Sequence, residues 1–257
     1  EQLAHENLCD FTRFMAHLEG GAPILDEAGI VAVRGQADWP STRVALRTDS
    51  ALLSAESFVE RAEAFLLGAH GKTACVFVRD GHDEDVAPLL LAHGFREYGN
   101  TPEMACDAVL PAREPVPGFT VRLANSPADV RGYAQVAGHA FRHLGIPEDM
   151  TVAGLDRPNE MLQSSVLIAI AERDDRVVAG AMVVMVGAVP NGYVAWVSCH
   201  DDARGNGLGD AVTRHVTNEA FARGAEMVSL EASKFGEHTY ARMGYRELYR
   251  YRMLIKI

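Results

Sequence analysis

Arg204, Gly205, Gly207 and Gly209 fall within six residues, directly after the apolar stretch 193–199. Leu208, Ala211, Val212, His215, Val216 and Phe221 then recur at helical spacing, so the turn opens into a helix over 207–221. Such a turn aims unpaired N–H groups and the positive end of a helix at one point, which suits an anion. Glycine serves because a Cβ would hold a phosphate away from the backbone. A tight turn that needs glycine only for positive φ is the plainer alternative.

Other chemistry-bearing residues lie nearby in sequence. Tyr240 carries a phenol that is still protonated at neutral pH, with an ordinary pKa near ~10, and so can give up a proton. Its alternative is a core tyrosine. Glu231 and Ser233 share a strand face by alternation, which makes Glu231 a candidate base. A strand-end carboxylate in solvent is the competing reading. His139 and His143 sit one helical turn apart, but with no third ligand and no HExxH pattern a metal site is not expected. Glu148 and Asp149 either attract a cation or belong to a surface loop.

The elements that must position these groups are legible from turn and periodicity signals. A strand at 119–123 precedes a helix over 126–143, opened by Ser126-Pro127. Two β-branched strands, 165–172 and 177–186, form a hairpin across residues 173–176, and Asn191-Gly192 turns into the strand 193–199. After the helix, which Gly224 stops, come a strand at 226–231, a short helix at 236–243 and a closing strand at 245–257.

The first half contains a fainter copy. Residues 73–78 read as a strand and 83–93 as a helix, and Gly94-Phe-Arg-Glu97 lines up with Gly244-Tyr-Arg-Glu247, which suggests internal duplication. No glycine-rich turn follows the strand-like 43–47, where Thr48-Asp49-Ser50 leads into a helix at 56–67, and Leu90 stands where the second half has Tyr240. The run 110–118, with Pro111, Pro115 and Pro117, reads as an extended connector, so domains of 1–112 and 113–257 are expected.

Bulk properties narrow the class. At 257 residues and 48% hydrophobic content the chain can bury a core without staples. Cys9, Cys75, Cys106 and Cys199 form neither a zinc pattern nor a disulfide framework, which fits a reducing, cytoplasmic setting. A net charge of -11 argues against nucleic acid as a partner and accords with a cationic one. The first ten residues show no export signal, and the apolar run 177–189, broken by Gly180 and Gly187, is too short to span a membrane.

Together these segments resemble the GNAT superfamily of acetyltransferases over residues 119–257. Arg204, Gly207 and Gly209 match its Arg/Gln-x-x-Gly-x-Gly/Ala turn, which cradles the pyrophosphate of coenzyme A. Ser233, Tyr240 and Gly244-Tyr245 stand where the family commonly has an Asn, a Tyr seven residues later, and Gly-Phe; the shorter Ser233 departs from that pattern. The resemblance implies an α/β (α+β) fold of two GNAT-like domains, each a mixed, mostly antiparallel sheet with flanking helices, the first domain degenerate. It implies acetyl-CoA as donor and direct transfer to a primary amine of a small molecule or peptide. Cofactor contacts would come from Val197, Ser198 and Cys199 on the strand, from Arg204, Gly205, Asn206, Gly207, Leu208, Gly209 and Asp210 in the turn, and from Ser233 and Tyr240. Tyr240 would be the acid and Glu231 the leading base. A non-catalytic acyl-CoA sensor, or an acyltransferase using another acyl-CoA in the manner of the tandem mycothiol synthases, are the rival readings. A homodimer is an expectation open to test.

Overall fold

The computed structural model describes residues 1–18, 20–68, 71–187 and 190–257, so Ala188 and Val189, the end of the apolar run noted above, lie outside the described residues. The chain folds into two compact units that are not contiguous in sequence. One comprises Glu1–Met104, Ala232–Lys234 and Glu247–Ile257, the other Ala105–Glu231 and Phe235–Arg246.

The first unit begins with a helix, α1 (Gln2–Leu18), followed by β1 (Ile24–Glu27), β2 (Ile30–Arg34) and β3 (Arg43–Arg47). Neither α1 nor the β1–β2 hairpin was expected from sequence. The polar residues of α1 disguise it, yet Ala4, Leu8, Cys9, Thr12 and Ala16 form the buried stripe. Next come α2 (Ala55–Leu67), capped by Ser54 Oγ accepting from the Ser57 N–H at 3.3 Å, then β4 (Ala74–Arg79), α3 (Val86–Ala92) and β5 (Arg96–Cys106). The strand order β1-β2-β3-β4 is completed by the last strand of the chain, β11 (Arg246–Lys256), which lies between β4 and β5. Its pairing with β4 is antiparallel, from Tyr251 opposite Arg79 to Lys256 opposite Ala74. Ile30, Phe58, Leu66, Val76, Leu90 and Leu254 fill the core, each wholly inaccessible.

The second unit runs β6 (Thr120–Leu123), α4 (Pro127–Phe141), α5 (Glu148–Leu155), α6 (Pro158–Met161), β7 (Val166–Arg173), β8 (Arg176–Val186), β9 (Asn191–Cys199), α7 (Leu208–Ala222), β10 (Val228–Glu231) and α8 (Glu237–Met243). The sheet order is β10-β9-β8-β7-β6, antiparallel except for β9 and β10. Asp174 and Asp175, at φ 53° and 57°, make the tight β7–β8 turn. Helix α4 starts on a full capping box between Ser126 and Asp129. The two helices α4 and α7 cover opposite faces of β8: Gly180 receives the Tyr133 ring of α4, whereas Val183, facing the other way, meets Gly192 beside Ala220 of α7.

The duplication read from sequence has a structural counterpart. Both short helices end with the same bond, Phe95 N–H to Leu90 O and Tyr245 N–H to Tyr240 O, each at 3.0 Å, and both feed an eleven-residue strand, β5 and β11. Among the described residues no helix is long and apolar enough to cross a membrane.

Candidate active site

Strands β9 and β10 are parallel neighbours, but their register holds only at Gly192 with Val228 and Tyr193 with Ser229. Beyond Tyr193 the strands part. The cause lies on the other edge of β9, where the pairing with β8 steps from Met182–Ala195 to Gly180–Ser198 and leaves one extra residue in β9. Trp196 takes up that extra length at φ 53°, a left-handed conformation that bulky residues rarely adopt. It is held there: the Tyr133 hydroxyl donates to Trp196 O at 3.1 Å, and the Phe141 ring lies 4.7 Å from the indole. Gly180 makes room for Tyr133, since a Cβ at 180 would stand 2.5 Å from Cδ2 of that ring.

The bulge leaves Val197 and Cys199 half-buried at the parting of the strands. Ser198 is different: its side chain is 3% exposed and its Oγ donates to Gly180 O at 3.4 Å, so only its backbone is on offer. Burial pushes the Cys199 thiol up to about 11, and that thiol donates to His200 O, so it is a poor nucleophile at neutral pH.

After β9, residues 201–203 make one 3₁₀ turn and the chain enters the glycine segment. Gly205 and Gly207 lie at φ 82° and 80°, and a Cβ built on Gly205, Gly207 or Gly209 meets nothing within 4 Å. The glycines therefore serve open space above the turn, not internal packing. The Asn206 amide braces the turn by donating to Ala203 O at 3.0 Å. Leu208 points into the core at 1% exposed, and the Asp210 carboxylate pairs with Arg214 at 3.1 Å and Arg113 at 3.3 Å. Both residues thus offer the turn their backbone alone. Arg204 reaches back to Asp201 at 3.0 Å.

Tyr240, on α8 in the same unit, is 8% exposed and packs edge-on against Gly236, with Cε2 2.5 Å from where a Cβ would be. Burial raises its pKa further, so the phenol keeps its proton at neutral pH. Glu231 is half-buried at the last position of β10. The strand ends there, so the alternation expected to put Ser233 on the face of Glu231 stops short of it, and Ser233 groups with the first unit.

His139 and His143 both meet the Asp201 carboxylate, at 3.0 and 3.3 Å. Periodicity cannot show a contact made across more than fifty residues of chain. Among the described residues no group of three His, Cys, Asp or Glu could hold a metal ion. A cavity of about 580 Å³ lies beside this cluster, lined by residues of α4 together with Glu148, Arg176 and His200, and it takes in none of residues 204–210.

In the first unit the equivalent loop has the opposite polarity. Between β3 and α2, Ser50 O and Leu53 O turn toward the Arg47 guanidinium, at 3.4 and 3.1 Å, and Arg47 also pairs with Asp85 at 2.8 Å. A buried cation among carbonyls fills the place where an anion cradle would present N–H groups.

With this geometry in place, comparison with known proteins is informative. The family model described as the acetyltransferase (GNAT) family matches residues 139–245. No curated protein matches the chain. Among solved structures, a GCN5-related N-acetyltransferase from Kribbella flavida superposes with a TM-score of 0.71 over 96% of this chain and 95% of its own, at 18% identity. A GCN5-related N-acetyltransferase from Sphaerobacter thermophilus gives 0.65 over 90% and 77%, at 20% identity. A tandem GNAT protein from the clavulanic acid biosynthesis pathway gives 0.61 over 98% and 94%, at 11% identity. At such identities the structural likeness speaks for the fold, and the sequence match speaks for the segment that holds β9, the glycine turn and Tyr240. Residues 139–245 thus match the GNAT acetyltransferase family, and the chain as a whole shares its fold with N-acetyltransferases of known structure, a tandem GNAT protein among them.

Proposed function

We propose that this protein is an acetyl-CoA-dependent N-acetyltransferase that passes the acetyl group directly to a primary amine. The observation that carries the reading is the conjunction, in one unit, of parting parallel strands and a glycine turn whose backbone faces open space. The residues fit a coenzyme A diphosphate: N–H groups of residues 205–210 and the Arg204 guanidinium would hold its anionic oxygens. Acetyl-CoA would supply a thioester already activated toward attack by an amine.

The chain's own groups then divide the work. Backbone N–H and C=O of Val197 and Cys199 would line the pantetheine arm as an added strand does, and an N–H at the bulge would polarise the thioester carbonyl. Tyr240 would hold a proton on its hydroxyl for the departing thiolate. Glu231 would take the proton that an ammonium must lose before it can attack. A cationic or neutral amine suits the acidic chain, with its net charge of -11.

Thiol release from acetyl-CoA across a panel of small amines and peptide N-termini tests this reading. Amine-dependent release is expected, with Tyr240→Phe lowering kcat by about 10²-fold or more while acetyl-CoA affinity is kept. Bound acetyl-CoA with no release for any amine would favour a sensing module instead. Release that is faster with longer acyl chains would replace the donor.

A further inference from the structure

Asp201 joins two segments that the sequence keeps apart. Its carboxylate receives His139 Nε2 at 3.0 Å, His143 Nε2 at 3.3 Å, the Arg142 guanidinium at 3.3 Å and the Arg204 guanidinium at 3.0 Å. Three of these partners come from the end of α4 and the turn after it, while Arg204 opens the glycine turn. The His139 ring is also stacked on His200, centroids 4.2 Å apart and planes 14° from parallel. Partial burial opposes ionisation of Asp201, but the bonds from the histidines and the charge of Arg204 hold its carboxyl down to about 2.

We propose that Asp201 is a positioning residue of the anion-binding turn, tying Arg204 to His139 and His143 so that the charge on those histidines sets how strongly the turn binds a diphosphate. The inference rests on the coenzyme A reading given above. With both histidines neutral the cluster of two arginines, two histidines and Asp201 carries one net positive charge. With both protonated it carries three. The other charged groups around it are largely neutralised: Asp202 is occupied by His200 at 2.8 Å, Arg176 at 3.1 Å and Arg173 at 3.7 Å. Across the cavity stand the carboxylates of Glu148 and Asp175. The variable charge near Arg204 is therefore that of the imidazoles, including His200.

Dephospho-CoA is the probe that isolates this effect, because it keeps the diphosphate but lacks the 3′-phosphate monoester, which itself titrates near neutrality. Calorimetric titration from pH 8 to 5.5 is expected to show binding to the wild type tightening by about five-fold or more, as two added charges several ångströms away would give in a solvated setting. The double variant His139→Gln/His143→Gln should remove the larger part of that response, and the triple variant that adds His200→Gln should flatten the profile. In Asp201→Asn the histidines lose the carboxylate that favours their charged form, so the midpoint should move to lower pH, and Asp201→Glu should restore it. A purely structural role would change affinity without moving the midpoint. Equal affinity across the pH range in the wild type, or an unmoved midpoint in Asp201→Asn, would overturn the inference and leave the coenzyme A reading intact. No binding of dephospho-CoA or acetyl-CoA at any pH would overturn both.

Discussion

Trp196 is the residue on which the opening between β9 and β10 depends, and two contacts from other residues, with room made for one of them, keep it in a conformation it would otherwise avoid. Tyr133 bonds its carbonyl, Phe141 packs on its ring, and Gly180 leaves the space that Tyr133 occupies. Two substitutions separate packing from hydrogen bonding. Gly180→Ala should cost about 1–3 kcal/mol by overpacking against the buried Tyr133 ring. Tyr133→Phe should cost about 1 kcal/mol, the worth of one hydrogen bond. Urea unfolding measures both, and in both variants acetyl-CoA binding should weaken more than the stability loss alone explains, because the bulge is what frees the edge of β9. A Gly180→Ala protein as stable as wild type would show that Tyr133 can move aside without consequence.

At the scale of elements, the capping box of α4 links helix start to sheet edge. Arg122 on β6 pairs with Asp129 and with Glu172 on β7, both at 2.7 Å, and Asp129 accepts from Asn125 and Ser126 N–H groups. The Arg122 bonds come first among the causes that depress the Asp129 pKa well below the carboxylate range, with burial opposing. A depressed folded pKa means stability that is present above the unfolded value of ~3.9 and is lost as pH falls through and below it. Asp129→Asn should thus lower stability at pH 7 by about 1–2 kcal/mol and make its decline between pH 5 and 3 shallower, as urea midpoints at these pH values would show. An unchanged acid slope would place the acid sensitivity elsewhere.

The same scale shows what sequence could and could not reveal. Ser126-Pro127 and the helical spacing from Leu208 to Phe221 mark elements found within a residue or two of their expected bounds, because caps and periodicity are local signals, whereas Asn191-Gly192, expected to be a turn, already belongs to β9 and pairs with β8. Local signals also sufficed for the glycine turn. The bulge at Trp196 was not legible, since it is fixed by Tyr133 from more than sixty residues away. The contact of Asp201 with His139 was missed for the same reason, and nothing local shows that β10 stops at Glu231, short of Ser233. Helix α1 escaped notice because its buried face includes His5 and Asn7, whose polarity blurs the stripe.

At the scale of the whole molecule, the chain does not separate into two halves by a single cut. The last strand, β11, sits between β4 and β5 of the first unit, with Tyr251, Leu254 and Ile255 buried there and the His5 ring 2.6 Å from the Tyr251 hydroxyl. Ending the chain after Arg246 should therefore unfold the first unit, although Glu247–Ile257 lies more than 140 residues beyond it in sequence. Limited proteolysis of that truncated chain should cut within residues 1–104, and persistence of a protected fragment there would contradict this description of the unit. The two units also differ where the duplication would make them alike: the turn at residues 205–209 opens on free space, and the loop between β3 and α2 encloses Arg47 with carbonyls. Among the described residues the duplicated fold thus offers one candidate anion cradle.

That asymmetry makes the central claim measurable in a single titration. Calorimetry with acetyl-CoA on the wild type and on Gly207→Glu, whose side chain would enter the open space above the turn and whose charge would repel a diphosphate, should give about one site per chain in the wild type and none in the variant. Failure of the wild type to bind, or binding that Gly207→Glu leaves untouched, would contradict the assignment of residues 204–210 as the coenzyme A cradle.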